Sequence, residues 1–579
     1  MKLSVATALA ICETVAAVKP VVHLGYSSFQ GTPLDNGITQ WLGMPFAAPP
    51  VGDLRWRAPR DPAKTEGIQL ANKHSPSCIG TGESPSATKS EDCLYAAVYA
   101  PTAATRCKPL PVYVWIMGGG FNSNAGPNSN GTGLIRAADM DLVVVTFNYR
   151  VGTYGFMTNG DASDTTLIDT NMGLLDQRKL LRWVQSHISK FGGDPRHVVI
   201  GGASAGAASV TYHLTAYDGA DEGLFVGAAA ESQSFGPVRT AEKSRYQFVN
   251  LAKRLGCWDE SAVSNNDEDK SNDAAVLACM RSAPVETVQQ AASTNIPYPE
   301  LTSANSSFSQ APLYMFSPLI DGKIIQDLTY NRFAEGKYIH VPSIFGDDTN
   351  EGTTFAPKTA ATRQDSHDFY RANFPAATAA QLSVLDGLYP NHNESTCPNK
   401  GCWWRQASDV YGDTRYTCPG LFLAETLTDP ATPAGPGEKQ PGKEKPPVFL
   451  YRYNALDPAQ EASGLGVPHT VETNAVWGPE NLQSAAPKSY LPGGVNAGVV
   501  PVVQGYWTSF IRTLDPNSHR VPGSAEWENW EGKMDGPAAG KRLLFSTGGG
   551  TTMEGVDDGV ENQTAKCRYL ETIALDLQQ

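Results

Sequence analysis

The sequence predicts an α/β fold: a central, mostly parallel sheet covered by helices on both faces. Three observations carry this. Val112–Ile116 and Leu142–Tyr149 are apolar, rich in β-branched residues and bounded by turn residues, the pattern of strands buried on both faces. Asp176–Lys190 sets Leu180, Trp183, Val184 and Ile188 on one face of a helix. After the break at Phe191-Gly-Gly-Asp-Pro195, His197–Gly201 reads as another short strand. Strands alternating with helices favour parallel pairing with crossovers.

The chain has 579 residues, with 45 Lys+Arg against 59 Asp+Glu and a formal net charge of −14. Such an acidic balance argues against nucleic acid or an anionic membrane surface as the principal partner. Beyond the N-terminus no apolar run approaches the ~20 residues of a membrane span. The N-terminus itself reads as a secretory signal peptide over residues 1–17: Lys2 precedes the apolar stretch Leu3–Cys12, and Val15-Ala16-Ala17 offers small residues for cleavage. Glu13 is unusual there, and an amphipathic first helix is the alternative. The expected localisation is extracellular.

Of ten cysteines, nine remain once Cys12 is discounted with the leader. In an oxidising compartment, sequence neighbours pair most simply as Cys78–Cys93, Cys257–Cys279 and Cys397–Cys402. The odd total calls for one free thiol, for which Cys107 is the nominee. Cys397 and Cys402 could instead form half a metal site, but no Cys/His pair of suitable spacing accompanies them. N-glycosylation sequons stand at Asn130, Asn305, Asn393 and Asn562. Ala431–Pro447, rich in Pro, Gly and charge, reads as an exposed loop.

The chemistry begins directly after the strand His197–Gly201. Gly202-Ala203-Ser204-Ala205-Gly206 is a G-x-S-x-G followed by small residues able to start a helix. In that context the serine stands on a strained turn, and the glycines let strand and helix approach without Cβ clashes. A serine nucleophile needs a base and a set of donors for the oxyanion. The strand Val112–Ile116 runs into Met117-Gly118-Gly119-Gly120-Phe121, so the N–H groups of Gly119, Gly120 and Ala205 are the expected oxyanion hole.

These segments, with several others, resemble the type-B carboxylesterase/lipase family of α/β-hydrolases, which includes cholinesterases and secreted fungal lipases. Glu91-Asp92-Cys93-Leu94 is similar to its E-D-C-L signature. Asn148-Tyr149-Arg150-Val151-Gly152, Gly173-Leu174-Leu175-Asp176-Gln177, Phe191–Pro195, Tyr506–Phe510 and Asp515-Pro516-Asn517 match further blocks in order. In character the chain is closest to secreted fungal carboxylesterases. The resemblance implies the α/β-hydrolase fold over one domain, 18–579, with excursions such as 236–330 and 356–440 walling the site. It also implies a Ser–acid–His order. Glu351-Gly352, after the apolar strand Val341–Phe345, fits the acid position, with Asp347 and Asp348 as nearby alternatives. Among His367, His392, His469 and His519, His469 follows a Gly/Pro-rich loop and opens an H-x-x-E block. The implied triad is Ser204, Glu351 and His469, with no metal or organic cofactor, a small-molecule ester as partner, and a Cys418–Cys567 disulfide.

Departures from the family pattern shape the functional expectation. Ala203 stands where the elbow of G-E-S-A-G carries glutamate, removing an acid near the histidine. Met117 replaces the usual His or Tyr, and Glu231-Ser232-Gln233-Ser234 replaces a Q-S-G block. Between Cys78 and Cys93 only the 14 residues Ile79–Asp92 intervene. They hold no aromatic residue to bind choline and little apolar surface to meet a lipid droplet. A carboxylesterase for soluble esters is therefore expected. The alternatives are a triacylglycerol or sterol-ester lipase, a tailoring esterase for secondary metabolites, and a non-catalytic cholinesterase-like binding protein.

Overall fold

Strand Leu110–Ile116 shows why the sheet has two covered faces. Val112, Val114 and Ile116 join one apolar cluster, while Tyr113 and Trp115 join another on the opposite face. The same alternation places Val198 and Ile200 on the first face and Val199 on the second. A computed structural model describes residues 17–258, 272–302, 308–391, 401–433, 445–536 and 539–579.

An eleven-stranded sheet organises them. Its strands are β1 (Thr32–Pro33), β2 (Ile38–Pro45), β3 (Tyr95–Pro101), β4 (Leu110–Ile116), β5 (Val143–Phe147), β6 (Gly193–Ala203), β7 (Gly227–Glu231), β8 (Ser343–Asp348), β9 (Val448–Asn454), β10 (Lys541–Ser546) and β11 (Thr551–Gly555). From edge to edge the order is β11-β10-β9-β8-β7-β6-β4-β5-β3-β2-β1. All neighbours from β10 to β5 pair in parallel. Antiparallel pairs close both ends, β10 with β11 on one side and β5-β3-β2-β1 on the other.

Helices cover both faces. On one, α1 (Met172–His187) buries Leu174, Leu180, Leu181, Trp183 and Val184, and α2 (Ala205–Gly219) buries Ala207, Val210 and Leu214. On the other, α5 (Val499–Thr513) buries Val503, Tyr506, Trp507 and Phe510. Between them in sequence, α3 (Trp404–Gly412), a π-helical turn (Asp413–Thr417) and α4 (Cys418–Thr428) run continuously, and α6 (Gln563–Ile573) follows the last strand. Helix α1 starts four residues before the expected Asp176. Among the described residues, no helix is long and apolar enough to cross a membrane.

Disulfides join Cys78–Cys93, Cys257–Cys279 and Cys418–Cys567. Cys402 is also disulfide-bonded, while Cys397 lies outside the described residues. The expectation of a free Cys107 is corrected: Cys107 is disulfide-bonded, and no described cysteine is free. The error lay in the count. Discounting Cys12 leaves an odd number, whereas the ten cysteines of the whole chain require no unpaired one. The expected leader, residues 1–17, lies outside the described residues up to residue 16.

Candidate active site

At the end of β6 the chain reverses into α2 through Ser204, whose φ is 58° and ψ −122°. A non-glycine residue held there is strained and persists only when its surroundings fix it. They do so here. Ser204 N–H donates to Glu231 O at 2.9 Å, and Ser204 O accepts from Ala208 N–H at 2.9 Å. A Cβ on Gly206 would stand 2.0 Å from Ile116 O, so only glycine lets the helix lie this close to β4.

Following β4, the loop from Gly118 to Ala125 folds back on itself. Gly118 O accepts from Ala125 N–H, Gly119 O accepts from the N–H groups of Asn122 and Ser123, and Gly120 O accepts from Asn122 Nδ2. With its carbonyls engaged inside the loop, the N–H groups of Gly119 and Gly120 donate to no protein acceptor among the described residues, nor does that of Ala205 in the first turn of α2. Gly120 needs its residue type twice over: its φ is +60°, and a Cβ would lie 2.1 Å from the Tyr314 ring. The short Cys78–Cys93 loop braces this turn through Thr81 N–H donating to Asn122 O at 2.7 Å.

The acid and the histidine come from the loops after β8 and β9. Asn350 joins the two: its N–H donates to Val467 O and its Oδ1 accepts from Val467 N–H, both at 2.9 Å. Glu351 Oε1 accepts from Asp348 N–H at 2.9 Å, and its Oε2 accepts from His469 Nδ1. The imidazole packs against two rings, Tyr416 at 4.4 Å centroid to centroid and Phe355 at 4.9 Å, which stack on each other at 5.7 Å. His469 Nε2 is buried with no hydrogen-bond partner among the described residues. Ser204, His469, Gly118–Gly120 and Tyr314 line one cavity of about 530 Å³, with Trp115 beside them.

The other candidates sit elsewhere. Asp347 Oδ2 accepts from Thr417 Oγ1, and Asp348 Oδ2 accepts from Val471 N–H; neither bonds His469. His367 pairs with Asp386, and His519 is reached only through its own N–H, which donates to Ser509 Oγ. His392 lies outside the described residues, as do the sequons at Asn305 and Asn393. Asn562 is exposed, and Asn130 is half-buried.

Behind the histidine, sequence reasoning misses a group of buried acids. Glu231 is the strand partner of Ala203, so a carboxyl stands one strand away from the position where the elbow lacks its glutamate. Its Oε1 accepts from Trp507 Nε1 at 2.9 Å. Glu472 Oε1 accepts from the Tyr451 hydroxyl at 3.1 Å. Burial, reinforced by neighbouring carboxyls, pushes Glu231, Asp348 and Glu472 above the ordinary carboxylate range. Asp347 is pushed up to about 7, again chiefly by burial. The sequence signal for this group is faint: Glu472 marks the H-x-x-E block, but nothing local links it to Glu231.

Residues 18–539 match the Carboxylesterase family, and the chain belongs to that family; it is a carboxylic ester hydrolase. The crystal structure of EstA from Aspergillus niger superposes with a TM-score of 0.83 at 37% identity, covering 97% of this chain and 99% of that one. Secreted lipase 4 of Gibberella zeae is 29% identical over 537 residues, 89% of this chain and 87% of its own length. The fumonisin B1 esterase of Sphingopyxis macrogoltabida is 26% identical over 536 residues, 91% of this chain and 86% of its own. The α/β-hydrolase fold of the family is the fold described above.

Proposed function

We propose that the protein is a secreted carboxylesterase that hydrolyses soluble esters through an acyl-enzyme on Ser204. One observation carries this: His469 binds Glu351 through Nδ1 and keeps a buried, unpartnered Nε2 in the cavity that Ser204 also lines. His469 Nε2 takes the proton as Ser204 Oγ attacks the ester carbonyl. Glu351 fixes the tautomer and stabilises the imidazolium. The N–H groups of Gly119, Gly120 and Ala205 receive the oxyanion, at a site where each donor is worth about 10²–10³ in rate. The tetrahedral intermediate collapses, His469 protonates the departing alcohol, and a water activated by the same nitrogen releases the acid. The histidine needs no partner for Nε2 in the resting state, because substrate and serine supply it in turn.

Support for a soluble ester comes from the cavity wall beyond His469, where Thr470, Thr473, Gln483 and Ser484 stand with Leu482. The lipase alternative draws on the name of the Gibberella zeae relative. Secretion rests on the leader reading and is consistent with the disulfides. Asn562, exposed at the start of α6, is the best-placed described glycan acceptor.

The test is hydrolysis of p-nitrophenyl esters from acetyl to palmitoyl, beside a Ser204→Ala control. Activity greatest on short chains and lowered by about 10³ or more in the variant supports the proposal. A maximum on the longest chains, rising above the micelle threshold, replaces it with a lipase. Activity retained by Ser204→Ala removes the nucleophile assignment.

A further inference from the structure

Eight arginines are buried among the described residues, and seven of them meet a carboxylate: Arg55 with Glu91, Arg150 with Asp176, Arg178 with Glu222, Arg239 with Glu300, Arg245 with Asp273, and both Arg452 and Arg542 with Glu554. The eighth, Arg415, is 8% exposed and has no carboxylate within ion-pair distance among the described residues. Its Nε donates to Ser234 Oγ at 2.8 Å. Its guanidinium carbon lies 5.6 Å from the Tyr314 ring centroid and 5.9 Å from that of Tyr411, with the Gly236 backbone on its flank. Cation–π contact offsets part of the desolvation of such a charge but leaves the planar fork of donors without its natural partner.

The place of this cation in the fold is specific. Arg415 belongs to the π-helical turn Asp413–Thr417, and turns of that kind gather at functional sites. The turn is held from three sides: Arg415 O accepts from Phe235 N–H, Tyr416 O from Gln233 Nε2, and Thr414 O from Gln579 Nε2. The following residue, Tyr416, packs on His469, and Tyr314, over which the guanidinium lies, lines the catalytic cavity against Gly120. A Cβ on Gly236 would stand 2.9 Å from Arg415 Nη1, so that glycine keeps the flank of the guanidinium clear. Arg415 is thus one side chain behind the oxyanion glycines.

We infer that Arg415 receives a carboxylate carried by the acyl part of the substrate, so that the preferred esters are monoesters of di- or polycarboxylic acids. The inference rests on the proposed acyl-enzyme at Ser204. With the carbonyl oxygen held at Gly119 and Gly120, the acyl substituent meets Tyr314, the wall between the cavity and the guanidinium, and reaches Arg415 as that ring turns aside. The alcohol, which His469 must protonate, leaves along Thr470 and Thr473. A carboxylate at the far end of the acyl chain completes a charge-assisted, fork-shaped pair in a site from which water is largely excluded. Tyr314 and Arg415 then set the acyl preference together, the first as wall and the second as counter-charge.

The experiment is pH-stat hydrolysis by the full-length protein of monoethyl succinate, glutarate and adipate, each beside its neutral diethyl ester. For at least one acid, kcat/KM for the monoester should exceed that for the diester by tenfold or more. Arg415→Met should lower that ratio at least tenfold, and Arg415→Lys should restore part of it. Preference for the neutral diester with all three acids, or an Arg415→Met variant that lowers both esters equally, overturns the inference. Should Arg415→Met fail to fold, the wild-type protein decides by another route. Glutarate, but not glutaramide, should slow organophosphate labelling of Ser204, and equal effects of the two refute the idea. Absence of any Ser204-dependent hydrolysis of neutral esters would count instead against the acyl-enzyme itself.

Discussion

Glu231→Gln is the perturbation that most directly tests the buried acids behind the histidine. Glu231 is fully buried; one carboxyl oxygen accepts from Trp507 Nε1 at 2.9 Å and the other has no partner. Burial first, and then the Glu472 carboxyl, raise its pKa well above the ordinary 4.5, so the native protein holds this proton to higher pH than the unfolded chain does. Glutamine reproduces the neutral form and keeps the acceptor for Trp507. At pH 5 the substitution should therefore change stability by no more than about 1 kcal/mol. The pH dependence has a definite sign. Above pH 4.5 the unfolded chain releases this proton and the native state retains it, so wild-type stability falls as pH rises, by about 1.4 kcal/mol per unit until the folded pKa is reached. The glutamine variant lacks that slope and should gain stability on the wild type as pH rises from 5 to 7. Glu231→Ala, which strips Trp507 Nε1 of its acceptor, should cost about 1–3 kcal/mol beyond the cavity it leaves. Urea unfolding of the three proteins at several pH values measures all of this. Parallel wild-type and Glu231→Gln curves across that range would refute a protonated Glu231.

Two further perturbations follow from the geometry. Gly120→Ala forces a left-handed φ on alanine, at about 1 kcal/mol or more, and drives Cβ toward the Tyr314 ring 2.1 Å away; with one oxyanion donor displaced, kcat/KM on a short ester should fall by about 10²–10³, and a loss below threefold would remove Gly120 from the hole. Replacing Cys418 and Cys567 together by serine opens a disulfide spanning 149 residues, whose loss the chain-entropy estimate puts at about 5 kcal/mol; an unchanged urea midpoint would show that α4 and α6 hold together without it.

Much of the fold is legible because its strands are buried on both faces and so appear as unbroken apolar runs, as at Val112–Ile116. The elbow is legible because steric rules confine it to small residues: the Ile116 carbonyl leaves no room for a side chain at Gly206. Helix α1 begins earlier than its apolar spacing indicates, since Met172 and Leu174 are buried in its first turn while Asn171 enters through a left-handed conformation that no pattern of hydrophobic residues records. The pairing of Glu351 with His469 depends on order along the chain, and the family resemblance supplies that order. What stays hidden is adjacency across strands. Ala203 reads as the loss of an acid, yet its partner on β7 is Glu231. Arg415 is equally silent in sequence, because its peculiarity is the absence of a carboxylate partner among the described residues, which only the packed structure can reveal.

The order of strands across the sheet has a consequence in time. Strand β6 pairs with β4, and from β7 onward each new strand of the main sheet is laid beside its predecessor, on the same growing edge. Once β5 has filled the place between β3 and β4, a chain emerging from its N-terminus can therefore extend the sheet outward from β6 without leaving a gap to be filled later. The serine turn at the end of β6 is complete once β7 supplies the carbonyl of Glu231. The proposed acid, Glu351, follows only after β8, and the proposed base, His469, after β9. Nascent chains that stop short of residue 469 would thus carry a shaped nucleophile with no base, inert toward esters in the compartment where they are made. Hydrolytic power arrives late, with the last third of the sheet.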